Sequence, residues 1–152
     1  MNENEKMIFA KATAAKFCAI AVYVKNNRLM VCDVIEADNI ASFIKELVCF
    51  SRSHRPYLVK YECSVYLNEC RYLRACLIDD NIPVSGYNSV GKYMDRIVSQ
   101  ADWIDKNVLI NEKFEDFADQ VSSFGVHDED RDNIAIDVLS DAAIYLRRRC
   151  FE

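Results

Sequence analysis

The chain has 152 residues, is 51% apolar and carries a formal net charge of −5, which suits one domain, residues 1–152, built on a single continuous core. A negative balance works against holding nucleic acid unaided, because phosphate neutralisation supplies most non-specific affinity; such a partner would need basic residues gathered on one face, or a second domain to grip. Met1 to Lys6 is polar and acidic, unlike a signal peptide, and no apolar run approaches the roughly 20 residues that span a bilayer, so a soluble, intracellular protein is expected.

The first two apolar, β-rich runs are Lys6 to Thr13 and Phe17 to Lys25. After Asn26-Asn27 comes a third, Arg28 to Ile35. Asparagine tolerates positive φ, so the pair reads as a hairpin turn and the three runs as antiparallel strands. Asp38 is a candidate N-cap for a helix that places Ile40, Phe43, Ile44, Leu47 and Val48 at helical spacing through about Ser51. Arg52 to Pro56 reads as a basic connection, with His54 as a loop residue. Tyr57 to Glu62 is a short strand between two helices, hence the parallel, central strand of a crossover. Val65 to Ile78 predicts a helix, Ile82 to Ser85 a last edge strand containing Pro83, and Ser89 to Ile104 a helix with Lys92 and Arg96 on one face. Val108 to Ile110 is a brief extended piece. Glu112 to Phe124 is an amphipathic helix with Gly125 as C-cap. Asp132 to Arg149 closes the chain as a helix with Ile136, Leu139, Ala143 and Leu146 inward and Arg147-Arg148-Arg149 at its C-terminus, where positive charge meets the negative end of the dipole. Trp103 is read as core. The seven cysteines are odd in number, lack a CxxC pair, and are read as reduced core residues.

Three antiparallel strands, then helix, strand, helix, strand and further helices is an RNase H-like order. The expected fold is a mixed α/β one, a five-stranded sheet in order 3-2-1-4-5 flanked by helices, with the first strand beside the fourth. In such a fold, phosphodiester hydrolysis by two Mg²⁺ or Mn²⁺ ions needs hard oxygen ligands that hold the ions roughly 3.5–4 Å apart across the scissile phosphate, supplied by the first strand, the fourth strand and the last helix. Glu62 fills the fourth-strand position. Asp132, Asp130 or Asp128, in the acidic stretch His127 to Asp132, can fill the helical one.

Four stretches together carry a family resemblance: Val59-Lys60-Tyr61-Glu62, Lys92-Tyr93-Met94-Asp95-Arg96-Ile97, Phe117 through Phe124, and His127 through Ala142. Their order and spacing resemble the nuclease domain of large terminases, the DNA-packaging motors of tailed phages and herpesviruses. The resemblance implies a viral, metal-binding, DNA-binding endonuclease in the host-cell interior that cuts concatemeric double-stranded DNA during packaging. It implies work beside an ATPase domain, a small terminase and a portal. It further implies metal ligation by Glu62, Asp132 and Asp128, with Asp130 assisting catalysis, and phosphate contacts from Lys92, Arg96 and Lys11. The chain itself contains no GxxxxGK[ST] nucleotide-binding loop.

The first strand departs from that family. Where the family carries an aspartate, this chain reads Phe9-Ala10-Lys11-Ala12-Thr13, so Ala10 or Lys11 stands in its place. A lysine there sets a cation where a metal should bind, repels it, and can pair with Glu62. The expectations are therefore an endonuclease impaired at its first ligand, or an inactive RNase H-like module that binds DNA or a packaging partner, or a site rebuilt from Asp128, Asp130 and Asp33. A Holliday-junction resolvase-like nuclease is the third functional alternative. Plainer roles stand beside these: Glu62 as a strand-end carboxylate, Asp132 as an N-cap, Lys92 and Arg96 as a solvated helix face, the terminal arginines as helix caps, and His127 and Arg52 as loop residues.

Overall fold

The computed structural model describes residues 5–125 and 133–151. Six strands, β1 (Met7–Ala12), β2 (Phe17–Lys25), β3 (Arg28–Ala37), β4 (Leu58–Glu62), β5 (Val84–Tyr87) and β6 (Val108–Ile110), form one mixed sheet in the order β5-β4-β1-β2-β3-β6. Five α-helices flank it: α1 (Ile40–His54), α2 (Leu67–Leu77), α3 (Tyr93–Asn107), α4 (Glu115–Ser122) and α5 (Ile134–Leu146). The order of the first five strands is the expected one. The sheet is nevertheless six-stranded, because the brief extended piece pairs parallel to β3, matching Leu29, Met30 and Val31 with Val108, Leu109 and Ile110. Three residues are too few to show a strand periodicity.

The opening hairpin follows from its turn. Asn26 and Asn27 have φ of 52° and 59°, the left-handed pair that a two-residue turn needs to match the twist of its strands. β1 is then enclosed by antiparallel β2 on one side and parallel β4 on the other, and all six of its residues are buried. Because side chains alternate along a strand, Ile8, Ala10 and Ala12 pack among the core residues of α1 and α2, whereas Met7 and Phe9 pack with those of α3 and α5. Lys11 shares the second face.

Several element boundaries differ from expectation, and two of the differences build the site. Helix α3 starts at Tyr93 rather than Ser89, which leaves Ser89 in a loop. The fifth strand covers Val84–Tyr87 rather than Ile82 to Ser85, setting Tyr87 opposite Glu62. Elsewhere Asn39, not Asp38, caps α1 by accepting a 2.9 Å bond from the Ser42 amide. Asn133, not Asp132, caps α5 through the Ile136 amide. Helix α4 ends at Ser122 with Ser123, not Gly125, as its C-cap, and beyond Leu146 the chain makes a wider helical turn over Arg147–Phe151. Arg52 and His54 belong to the last turn of α1, not a loop; Arg52 pairs with Asp80, and His54 bonds Asp33. All seven cysteines are free, but only Cys18 and Cys70 are buried. Trp103 is a partly buried flank of the core with the Arg147 guanidinium over its ring. Among the described residues no helix is long and apolar enough to cross a membrane.

Candidate functional site: a lysine among three carboxylates

Helix α5 explains where the polar chemistry gathers. Every residue from Ile134 to Ala143 is buried, so the helix has no solvated stripe and any acid on it must find partners inside the protein. It carries two, Asp137 and Asp141, four apart and therefore on one face. That face looks onto β1 and β4. Lys11 and Glu62 are register partners in the parallel β1–β4 ladder and point to the same side.

The result is a dry charged cluster centred on Lys11, which is 3% exposed. Its ammonium donates to Ser89 Oγ at 2.7 Å, Asp137 Oδ1 at 2.9 Å and Asp141 Oδ2 at 2.9 Å. An ammonium has three donors, so all are in use. Glu62 Oε2 lies 4.0 Å away and acts through charge alone. Glu62 is itself held by the Ser64 amide on Oε1 at 2.6 Å, while Ser89 Oγ lies 3.1 Å from Oε2. The Ser89 hydroxyl has one proton to share between that oxygen and Asp141 Oδ2, 2.8 Å away. Tyr87 donates to the same Asp141 oxygen at 2.9 Å.

Arg96 is the second cation. Its Nη2 donates to Asp137 Oδ1 at 2.8 Å and its Nη1 to the Gly91 carbonyl, while Nε stands 3.4 Å from Asp141 Oδ1 without hydrogen-bond geometry. Burial opposes its charge, but the bond to Asp137 and the charges of Asp137, Asp141 and Glu62 outweigh it, raising the guanidinium above its usual value. Burial, and then the neighbouring Asp141 carboxylate, push the Tyr87 phenol well up. A neutral tyrosine is thus favoured in the folded chain. Above the ordinary value of about 10, the unfolded chain loses that proton and the folded one keeps it, so stability falls as pH rises. Urea titrations above pH 10 are expected to show this loss, and Tyr87→Phe is expected to flatten it; an unchanged slope would mean that Tyr87 is not held in this network.

Of the residues singled out in the sequence, the structure brings Lys11, Glu62 and Arg96 together. Lys11 and Arg96 are turned inward onto carboxylates, and Lys92 is exposed just ahead of α3. Asp128, Asp130, Asp132 and His127 lie outside the described residues. Asp33 belongs to the opposite face of the sheet, where it accepts a 2.6 Å bond from His54 of α1, so it has no part in this cluster. Asp137, Asp141, Ser89 and Tyr87 were missed. The signal for the two aspartates was present: two acids one turn apart in an otherwise apolar helix have no reason to be there without a partner.

The arrangement does not fit a divalent cation. Among the described residues no group of His, Cys, Asp and Glu stands where it could hold a metal ion, because the ammonium of Lys11 takes the place between the acids. A positive charge already bonded to both aspartates opposes a second one strongly in a water-poor site.

No protein-family model matches the chain, and no curated protein matches it. Solved structures do. The fowlpox virus Holliday junction resolvase matches with a TM-score of 0.64 and 12% identity over 94% of this chain and 98% of that one. The large terminase nuclease domain of bacteriophage SPP1, with bound Mn, matches with a TM-score of 0.65 and 14% identity over 93% and 85%. The human cytomegalovirus terminase nuclease domain, soaked with Mn, gives 0.63 and 7% over 93% and 83%. The chain therefore has the fold of RNase H-like nucleases of the terminase and resolvase kind.

Proposed function

We propose that this chain is an RNase H-like module that binds DNA without cutting it, its metal position filled by its own lysine. The observation that carries this reading is the Lys11 ammonium, 2.9 Å from both Asp137 and Asp141. Two-metal hydrolysis needs those carboxylates free to share cations with a phosphate. Here they are neutralised from within. DNA as the partner is supported by the fold: a fowlpox resolvase of this fold has been solved with a Holliday junction. It is supported too by exposed cations, Lys92 ahead of α3 and Arg148 and Arg149 beyond α5, on a chain whose balance is acidic.

One observation favours a second reading. Glu62, Asp137 and Asp141 converge from β4 and α5, the positions from which a terminase-type endonuclease would hold Mg²⁺ or Mn²⁺. Cleavage of concatemeric DNA beside a packaging ATPase, small terminase and portal would require Lys11 to leave that centre. Supercoiled plasmid, linear duplex and a four-way junction, incubated with Mg²⁺, Mn²⁺ or EDTA, separate the two. The expected result is retarded mobility of at least one DNA in native gels with no nicking in any metal. Mn²⁺-dependent nicking that Glu62→Ala abolishes would replace the binding module by the nuclease.

A further inference from the structure

Beside the Lys11 cluster, where the C-terminal end of α5 and the turn beyond it meet β1, β4 and β5, opens a cleft of about 220 Å³. Its walls are Phe9, Lys60, Tyr87, Tyr145, Arg148 and Arg149. Lys60 Nζ sits 4.8 Å from the Tyr145 ring centre and 5.4 Å from that of Tyr87, and the Arg149 guanidinium stacks on Tyr145 at 3.7 Å. Tyr145 is fixed in turn by an edge contact with Phe9.

Cations are normally steadied by carboxylates, and these are not. Among the described residues, none of Lys60, Arg148 and Arg149 stands in an ion pair, whereas the more buried Lys11 and Arg96 take up the carboxylates. The one acid on the cleft wall, Asp141, already meets Lys11, Tyr87, Ser89 and Arg96. Lys60 is lowered below its usual value by burial and by the nearby Arg149 charge, a repulsion that a bound anion relieves. Aromatic faces hold the cations in position at little cost, since cation–π attraction replaces the missing counter-ions. The volume falls below the roughly 300–1,000 Å³ of pockets that enclose a whole ligand, so it suits one residue of a longer chain or a small phosphate ester.

We propose that this cleft binds a nucleoside phosphate, its phosphoryl oxygens between Lys60 and Arg149 and its base against the tyrosine wall. Two sources share that chemistry: a free mononucleotide, and one residue of a single DNA strand passing the Lys11 cluster. The proposal rests on the DNA-binding reading above and supplies its contact surface. Arginine and aromatic side chains grip a strand in this way without reading its sequence.

The test measures fluorescence anisotropy of a labelled single-stranded oligonucleotide with the full chain at several salt concentrations, using wild type, Lys60→Gln/Arg149→Gln and, on the opposite face, Lys45→Gln. The expected result is binding weakened about tenfold in the double variant, with a salt slope shallower by about one, and no change in Lys45→Gln. Deoxythymidine monophosphate is expected to compete where inorganic phosphate at the same concentration does not. Competition by the mononucleotide at concentrations far below those of strand residues would identify a free nucleotide as the ligand; weaker competition would identify the strand. Wild-type binding that the double variant retains would overturn the cleft while leaving the DNA-binding reading intact. Equal competition by phosphate would overturn the nucleoside part. No binding of any DNA by the wild type would overturn both.

Discussion

Lys11→Asp is expected to lower the thermal stability of the metal-free protein sharply and to restore it with Mn²⁺. The substitution removes the ammonium that bonds Asp137 and Asp141 and adds a carboxylate beside Glu62, its register partner on β4. Four acids would then face one another with Arg96 as the only cation left in the cluster among the described residues. Removing one member of a buried charge pair costs about 3–5 kcal/mol, and in a chain of this size each kcal/mol moves Tm by about 2–4 °C. A fall on the order of 10 °C follows. The same change empties the centre of its resident cation and supplies the oxygen ligands a divalent ion prefers. Mn²⁺ at about a hundred times its dissociation constant would return about 2.7 kcal/mol, most of the loss. Wild type, with Lys11 in place, is expected to show no Mn²⁺-dependent shift. If the variant melts at the same temperature with and without Mn²⁺, the three native carboxylates are not arranged around a cation position.

Asp141→Ala is expected to destabilise by a similar amount for the opposite reason. Lys11, Tyr87 and Ser89 all approach one oxygen of this side chain, between 2.8 and 2.9 Å, so its loss strands a buried ammonium and two hydroxyls, and a cost of about 3–5 kcal/mol follows. The comparison that isolates the charge is a cycle with Lys11→Met. Once the ammonium is gone, the missing carboxylate matters less, and the double variant is expected to lose about 1–3 kcal/mol less than the sum of the singles. Denaturant midpoints with unchanged slopes would measure this. Additive losses would mean that Lys11 and Asp141 are neighbours without being coupled. By contrast the exposed pair of Lys106 and Asp102, one turn apart on α3 and 3.0 Å long, is worth a few tenths of a kcal/mol at most.

The sheet was legible in the sequence because its signals are local. Asn26-Asn27 sets the hairpin, and a short strand between two helices sets the parallel neighbour of β1. A cation at Lys11 facing Glu62 was legible too, from the aspartate that the family resemblance sets at Ala10 or Lys11, and the two side chains do lie 4.0 Å apart. Its partners were less so. The acids assigned to metal, Asp128, Asp130 and Asp132, come from the position the family resemblance sets before the last helix and lie outside the described residues, whereas Asp137 and Asp141 sit within an apolar helix. What reveals them is that α5 is buried on all sides, a tertiary fact that its own periodicity does not announce. Ser89 and Tyr87 depended on where α3 begins and where β5 ends, and shifts of two to four residues at element ends are what local propensity resolves least well. The aromatic and basic cleft was invisible for the same reason: Lys60 on β4 meets Tyr145 and Arg149 on and beyond α5 only after the chain has folded.

The most direct test of the lysine-filled centre is calorimetric titration of Mn²⁺ into the wild-type protein and into Lys11→Asp. No binding heat is expected in the wild type up to millimolar metal, and saturable binding is expected in the variant. Saturable Mn²⁺ binding by the wild type, abolished by Glu62→Ala, would contradict the lysine-filled centre.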